Sequence, residues 1–317
     1  MVKRPLEANE EKVKSKRNSP LRGGLRVIKP AGPSSFDVIR RLKEILPRGT
    51  RMGHTGTLDP AASGLLLVLI GTATRIQHLL KDLDKEYEAV IRLGVATDTD
   101  DMEGRVTERA EVPLIAEGRI KEVLSGLEGT RMQRPPRYSA LKVDGKRAYA
   151  KARSGEAFEL PERTVTVFNL KLVSWDAPFI RIKTVVSAGT YIRSLAREIG
   201  GILGVPASLS SLVRTRIGQF AADDALGLDE LSKDSVADKM ISVLELLSHL
   251  PRARISYVEA EMLIQGKPLD ENAYTELQDF PLSILYTADK SRAFLCKPQD
   301  GRLRSRRLLY TDDSEGF

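Results

Sequence analysis

A single cysteine and three histidines are all that this 317-residue chain offers to sulfur and imidazole chemistry. One thiol excludes an intrachain disulfide, and His54, His78 and His249 lie far apart, without the spacing of a structural zinc motif. No metal site is therefore expected, and with neither a phosphate-loop Gly-Lys-Ser/Thr nor a G-x-G-x-x-G motif no cofactor is expected either. Long apolar runs are missing as well: the longest uncharged stretches, Pro60 to Thr74 and Ile199 to Val213, have 15 residues each, short of the roughly 20 that span a bilayer. The first 26 residues are charged and lack the apolar segment of a secretory leader. A cytoplasmic protein with no membrane partner is the expectation. With 41% hydrophobic residues the chain can still bury a proper core, and its length suits one large domain with a small appendage, or two domains.

What is present in excess is positive charge, a formal +7. Its distribution says more than its sum. Residues 1–26 hold eight Lys or Arg against three Glu, with no helical or strand period, and read as a disordered basic tail over residues 1–24. Residues 131–153 hold eight Lys or Arg against one Asp, interleaved with Tyr138 and Tyr149. Cations bind phosphates and rings stack on bases, so this segment suits RNA or single-stranded nucleic acid. A solvated helix face is the other reading. Pro135-Pro136 and Asp144-Gly145 make the segment loop-rich, which favours nucleic acid. Residues 221–248 are acidic, with seven acids and two Lys.

Leu25–Ile28 reads as a strand, and Ser34-Ser35 as the start of a helix with Val38, Ile39, Leu42, Ile45 and Leu46 on one face, stopped by Pro47. Leu65–Ile70 is a buried strand or short buried helix. Tyr87–Gly94 alternates as a strand does. Ile120, Val123, Leu124 and Leu127 mark a helix, Thr164–Ser174 and Phe179–Ser187 two strands, and Ile192–Ile199 a helix closed by Gly200-Gly201. Without a regular βαβ alternation, the expected class is α+β with a mainly antiparallel sheet. The acidic segment is expected to separate this body, residues 25–249, from a small β-rich piece, residues 250–317.

Two stretches could carry chemistry. In GHTGTLDP, residues 53–60, Gly53 and Gly56 permit unusual dihedrals and Pro60 biases Asp59 toward an extended conformation. The carboxylate either projects from a tight loop or caps a backbone N–H in a turn, and spacing alone favours the turn. In SAGTYIRSL, residues 187–195, Thr190 reads as an N-cap, placing Arg193 at the third helical position, where a cation opposes the helix dipole. A carboxylate or phosphate partner would account for it, and so would simple exposure to water. Periodicity alone makes Tyr87 a core residue. His54 could be a base, a ligand or an RNA contact.

Taken together these stretches resemble the TruB family of bacterial tRNA pseudouridine synthases. GHTGTLDPAASGLL (53–66), KEYEA (85–89), RPPRYSALKVDGKRAYAKARSGE (134–156), SAGTYIRSLAREIG (187–200) and LVRTRIGQF (212–220) follow the family's motifs in order over residues 25–220. The resemblance implies a central mixed, mostly antiparallel sheet with flanking helices and a PUA-like C-terminal RNA-binding domain. It implies that uridine 55 in the tRNA T arm is isomerised by base flipping, with Asp59 as catalytic aspartate, Tyr87 stacking on the uracil, and Arg193 as partner of the carboxylate. Leu195 would line the pocket and His54 would accommodate the flipped nucleotide. Lys85, Arg137, Tyr138, Lys142, Lys146 and Arg147 would contact RNA. The implied partner is the tRNA T stem-loop, bound by a monomer that needs no protein partner. A guide-RNA particle subunit and a non-catalytic RNA-binding protein are the rivals.

Overall fold

A computed structural model describes residues 21–139, 141–143, 146–148, 151, 158 and 160–311. The basic tail expected over residues 1–24 lies outside these except for its last four residues, and Tyr149 lies outside them too. The chain opens with β1 (Gly23–Lys29), α1 (Ser35–Ile45), β2 (Met52–His54) and β3 (Ser63–Ile70). A 3-10 turn leads into α2 (Gln77–Lys81), followed by β4 (Lys85–Leu93), β5 (Val95–Thr97), β6 (Val106–Arg109), α3 (Glu117–Gly126) and β7 (Gly129–Gln133). Two short strands, β8 (Lys142–Val143) and β9 (Lys146–Arg147), form a hairpin in the basic segment. Then come β10 (Arg163–Asp176), β11 (Phe179–Val186), α4 (Ile192–Leu203), β12 (Ala207–Ile217), β13 (Phe220–Ala221), α5 (Lys233–Asp238) and α6 (Val243–Leu246). The C-terminal part comprises β14 (Arg252–Ile255), α7 (Tyr257–Ile264), β15 (Leu269–Asp270), β16 (Ser283–Thr287), β17 (Arg292–Gln299) and β18 (Arg302–Thr311).

The fold is α+β. A nine-stranded sheet runs β1-β3-β12-β4-β11-β10-β7, with β2 added to β3 and β13 to β12. Its pairs are antiparallel except β3 with β12. One core lies under α3 and α4, where Ile120, Val123, Leu195, Ala196 and Ile199 meet Ala89, Ile91, Ile180 and Ile182. The alternation of β4 explains this: its odd-numbered residues face the helices while Glu86 and Glu88 face outward. Another core joins the two halves of the chain, Leu65, Leu67 and Leu69 packing with Ile284, Ala293, Leu295 and Leu309 of the five-stranded C-terminal sheet.

Three expectations are corrected. β1 starts two residues early, at Gly23. The acidic segment does not merely separate two bodies: Leu226, Leu231, Val236 and Ile241 turn inward, and Gly24 and Ile28 donate backbone hydrogen bonds to Ile241 and Leu226. Gly200-Gly201 does not close α4, which runs on to Leu203 and ends at Gly204 with φ 78°. Gly200 serves close packing instead, since a Cβ there would stand 2.4 Å from the Ala207 Cβ.

Candidate active site

One row of the sheet, Gly64–Arg214–Tyr87–Thr184, runs across β3, β12, β4 and β11. Above it opens a cavity of about 460 Å³ whose walls include Thr55 to Asp59, Lys85, Tyr87, Tyr138, Tyr191, Arg193, Leu212 and Arg214. Its size and its mixed apolar and charged lining suit a single bound nucleotide.

The loop carrying Asp59 is irregular, so its carbonyls need donors from outside any ladder. Two cations and a serine supply them. Lys29, fully buried at the end of β1, donates from Nζ to the carbonyls of Pro30 (2.8 Å), Pro33 (2.7 Å) and Pro60 (3.1 Å). Arg214, 1% exposed, donates to Leu65 (2.8 Å), Gly56 (3.0 Å) and Thr57 (3.4 Å). The Ser35 hydroxyl both donates to the Leu58 carbonyl (3.0 Å) and accepts from the Leu58 N–H (2.9 Å). Lys85 holds the adjoining turn by donating to the carbonyls of Lys81 and Leu83. Gly53 and Gly56 keep ordinary backbone angles. Gly64 is the glycine this region requires, with φ 104° and a notional Cβ 2.3 Å from the Arg214 carbonyl oxygen.

Asp59 is left 45% exposed by its side chain, its Oδ2 3.0 Å from Nη2 of Arg193, whose side chain is 8% exposed. The guanidinium is shared. Nη1 donates to Asp101 Oδ2 (3.2 Å) and the Thr99 carbonyl (3.1 Å), and Nη2 also donates to the Tyr138 carbonyl (3.0 Å). Asp101 is itself fixed, its Oδ1 accepting from the Thr99 hydroxyl (2.6 Å) and the Glu103 N–H (3.1 Å). A buried cation between two carboxylates holds Asp59 in one orientation.

Arg193 is the second residue of α4, not the third. Tyr191 occupies the N-cap, because the Thr190 hydroxyl turns back to the Ser187 carbonyl (2.9 Å) and Gln133 Oε1 accepts the Tyr191 N–H (2.8 Å). The basic segment docks on the same helix end, the Ser194 hydroxyl donating to the Arg134 carbonyl (2.8 Å). Tyr87, 9% exposed, lies on the cavity wall as well as on the core face of β4.

Other expected site residues fall differently. Leu195 is fully buried in the core, not on the cavity wall, because it lies two residues beyond Arg193 and about 200° around the helix. Leu58, Ile192 and Leu212 are the aliphatic wall residues. His54 ends β2 beside the cavity rather than lining it; burial first, then the Arg214 cation, lowers its pKa. Lys85 is 6% exposed on the wall, its pKa pushed down to about 8 by burial and then by Arg214. Arg137 is exposed, its guanidinium 5.5 Å from the Phe158 ring centre. Lys142, Lys146 and Arg147 sit in the β8–β9 hairpin, their side chains outside the described ones. Among the described residues no cluster of potential metal ligands forms, and no helix is long and apolar enough to cross a membrane.

Sequence reasoning missed Lys29, Asp101, Tyr191 and Arg214. Lys29 had a signal, being in phase with the buried Leu25 and Val27. Arg214 lies two residues from Leu212 on its strand, and Asp101 ends the acid-rich run TDTDD.

Known proteins resemble this chain in sequence and in fold. Residues 43–192 match the model of the TruB family pseudouridylate synthase N-terminal domain. The tRNA pseudouridine synthase B of Synechococcus sp. (strain WH7803) is 40% identical over 256 residues, covering 78% of this chain and 85% of that protein. That of Leifsonia xyli subsp. xyli (strain CTCB07) is 43% identical over 256 residues, covering 78% and 83%. The crystal structure of a Cbf5-Nop10-Gar1 complex matches with TM-score 0.65 and 26% identity, over 92% of this chain and 86% of that one. The fold and the relatives define a pseudouridine synthase, an isomerase. Within that class the chain belongs to the TruB family.

Proposed function

We propose that this protein converts uridine 55 in the T arm of tRNA to pseudouridine, acting alone, as a cytoplasmic monomer. The observation that carries the reading is the exposed Asp59 carboxylate, aimed into a nucleotide-sized cavity by a buried arginine 3.0 Å away. Its relatives named tRNA pseudouridine synthase B support tRNA as the substrate.

The reaction breaks the bond from ribose C1′ to uracil N1, turns the base and joins C5 to C1′. The C5 proton leaves and N1 gains one, so no electrons are exchanged. Asp59 in its ionised form either attacks C1′ or assists a glycal-type elimination. Arg193 keeps it oriented. Tyr87 stacks on the extruded base, which must leave its helix or loop stack to reach the cavity. Arg137, Tyr138 and the β8–β9 hairpin position the RNA backbone without reading sequence. The β14–β18 sheet is a PUA-like RNA-binding domain.

Purified protein is incubated with bare tRNA transcript and pseudouridine is mapped by mass spectrometry. Conversion at position 55 without added protein or guide RNA is expected; its absence overturns the reading. Asp59→Asn should abolish conversion while the Kd for the T stem-loop stays within about threefold. Normal turnover by that variant would remove the aspartate mechanism.

A further inference from the structure

Helix α1 presents one face the proposed reaction does not use. Its inner side packs Val38, Ile39 and Leu42 into the core. On its outer side Phe36, Arg40 and Lys43 recur at i, i+4 and i+7, within about 60° of one another around the axis. Phe36 is 58% exposed, although it lies in the first turn of a helix whose apolar residues are otherwise turned inward. The Arg40 guanidinium lies 5.9 Å and the Lys43 ammonium 5.5 Å from its ring centre. Arg48 and Arg51, both exposed, extend the positive charge beyond the helix.

This face adjoins the candidate active site. Ser35, the residue before Phe36, holds both backbone polar groups of Leu58, and Gly32 donates to the Pro60 carbonyl at 2.8 Å. Asp59 sits between Leu58 and Pro60. An exposed ring flanked by cations, one residue from a contact with the Asp59 loop, is the arrangement that holds single-stranded RNA: the ring stacks on a base and the cations take the adjoining phosphates.

We propose that Phe36, with Arg40 and Lys43, forms a stacking platform for an unpaired base of the substrate RNA outside the catalytic cavity. The occupant is RNA because the apolar surface is one ring wide and the two cations beside it, one of them also paired with Asp37 (2.7 Å), fit a base with its phosphate. The proposal rests on the reading of the site as an RNA-modifying one. It adds a contact with a nucleotide other than the one transformed.

The test measures T stem-loop affinity by fluorescence anisotropy at two salt concentrations, with single-turnover conversion at saturating enzyme. Phe36→Ala and Phe36→Leu should each weaken binding about tenfold, while Phe36→Trp stays within twofold of wild type. The conversion rate at saturation should not change. Arg40→Gln with Lys43→Gln should lower the slope of log affinity against log salt by between about 1 and 2. Thermal melts should show no loss of fold, since the ring is exposed. A Phe36→Ala affinity within twofold of wild type overturns the platform. So does a Phe36→Leu variant that binds as well as Phe36→Trp, which would reduce the site to apolar bulk. Reduced self-association with unchanged RNA affinity overturns it too, assigning the face to a second copy of the chain. Absence of conversion by the wild type would sink the functional reading itself, whereas conversion with unchanged Phe36→Ala binding sinks only the platform.

Discussion

Arg214 provides the sharpest test of how the Asp59 loop is held. Its guanidinium is 1% exposed and donates to three carbonyls, two of which, Gly56 and Thr57, precede Asp59 by three and two residues. Arg214→Met removes all three donors. A hydrogen bond from a charged donor contributes about 1.5–3 kcal/mol, but Gly56 and Thr57 border the cavity, where water can replace the arginine. Removing the cation also removes its own desolvation cost. A net stability loss of about 2–4 kcal/mol is expected, which urea unfolding followed by circular dichroism would register. The kinetic effect should be larger than the stability suggests. A displacement on the order of 1 Å at a reacting group can cost about a hundredfold in rate, and the loop loses its main restraint on the β12 side. Single-turnover conversion should therefore fall about a hundredfold with RNA affinity within about threefold. Arg214→Lys, keeping the charge and part of the donor set, should fall about tenfold. A Met variant that converts RNA at the wild-type rate would refute loop positioning. Equal losses in rate and affinity would make Arg214 a phosphate contact instead.

Asp101→Asn should lower the single-turnover rate at least about tenfold with little change in RNA binding, because Arg193 loses one charge-assisted bond but keeps its other partners; an unaltered rate would show that the Asp101 charge is not needed to orient the arginine. Lys85, pushed down to about 8 from 10.5, should titrate near pH 8 in a side-chain 15N NMR experiment, and Arg214→Met should move that midpoint upward. The sign is fixed by the lowered value. As pH rises through about 8 the cavity loses a positive charge and RNA affinity falls, while stability rises between about 8 and 10.5, where the unfolded chain still binds a proton that the native chain has released. A midpoint above 10 would place the ammonium in water.

Local reasoning singled out Asp59, held before proline, and Arg193, set against a helix dipole, but left the role of each open; only the family resemblance paired them, and the fold brings them within 3.0 Å. The cap of α4 was misread because the Thr190 hydroxyl donates to the Ser187 carbonyl instead of accepting a helix N–H, while Gln133, 58 residues away, supplied the acceptor for the Tyr191 N–H. Gly200 was misread as a stop because the contact it allows, against Ala207, exists only once β12 folds back on the helix. Leu195 shows the limit of motif proximity: two positions from Arg193, it faces the core. Lys29 and Arg214 were missed for a more general reason. Strand alternation puts both on buried faces, but a reading of sequence turns cations outward, and their partners are carbonyls, which leave no residue signature.

Those buried cations also recast the charge of the chain. A formal +7 is the kind of figure usually assigned to a basic surface. Yet Lys29, Lys85 and Arg214 are nearly inaccessible and donate to the backbone at or beside the Asp59 loop. Neutral donors could satisfy such carbonyls, as Ser35 does for Leu58. Cations do something a serine cannot: having bound the backbone, they keep their charge, and burial beside a cavity weakens its screening by water. The donors that hold the loop in shape thus leave positive charge beside the cavity, favouring a polyanionic substrate. The charge at the site follows from the same contacts that solve the folding problem of an irregular loop.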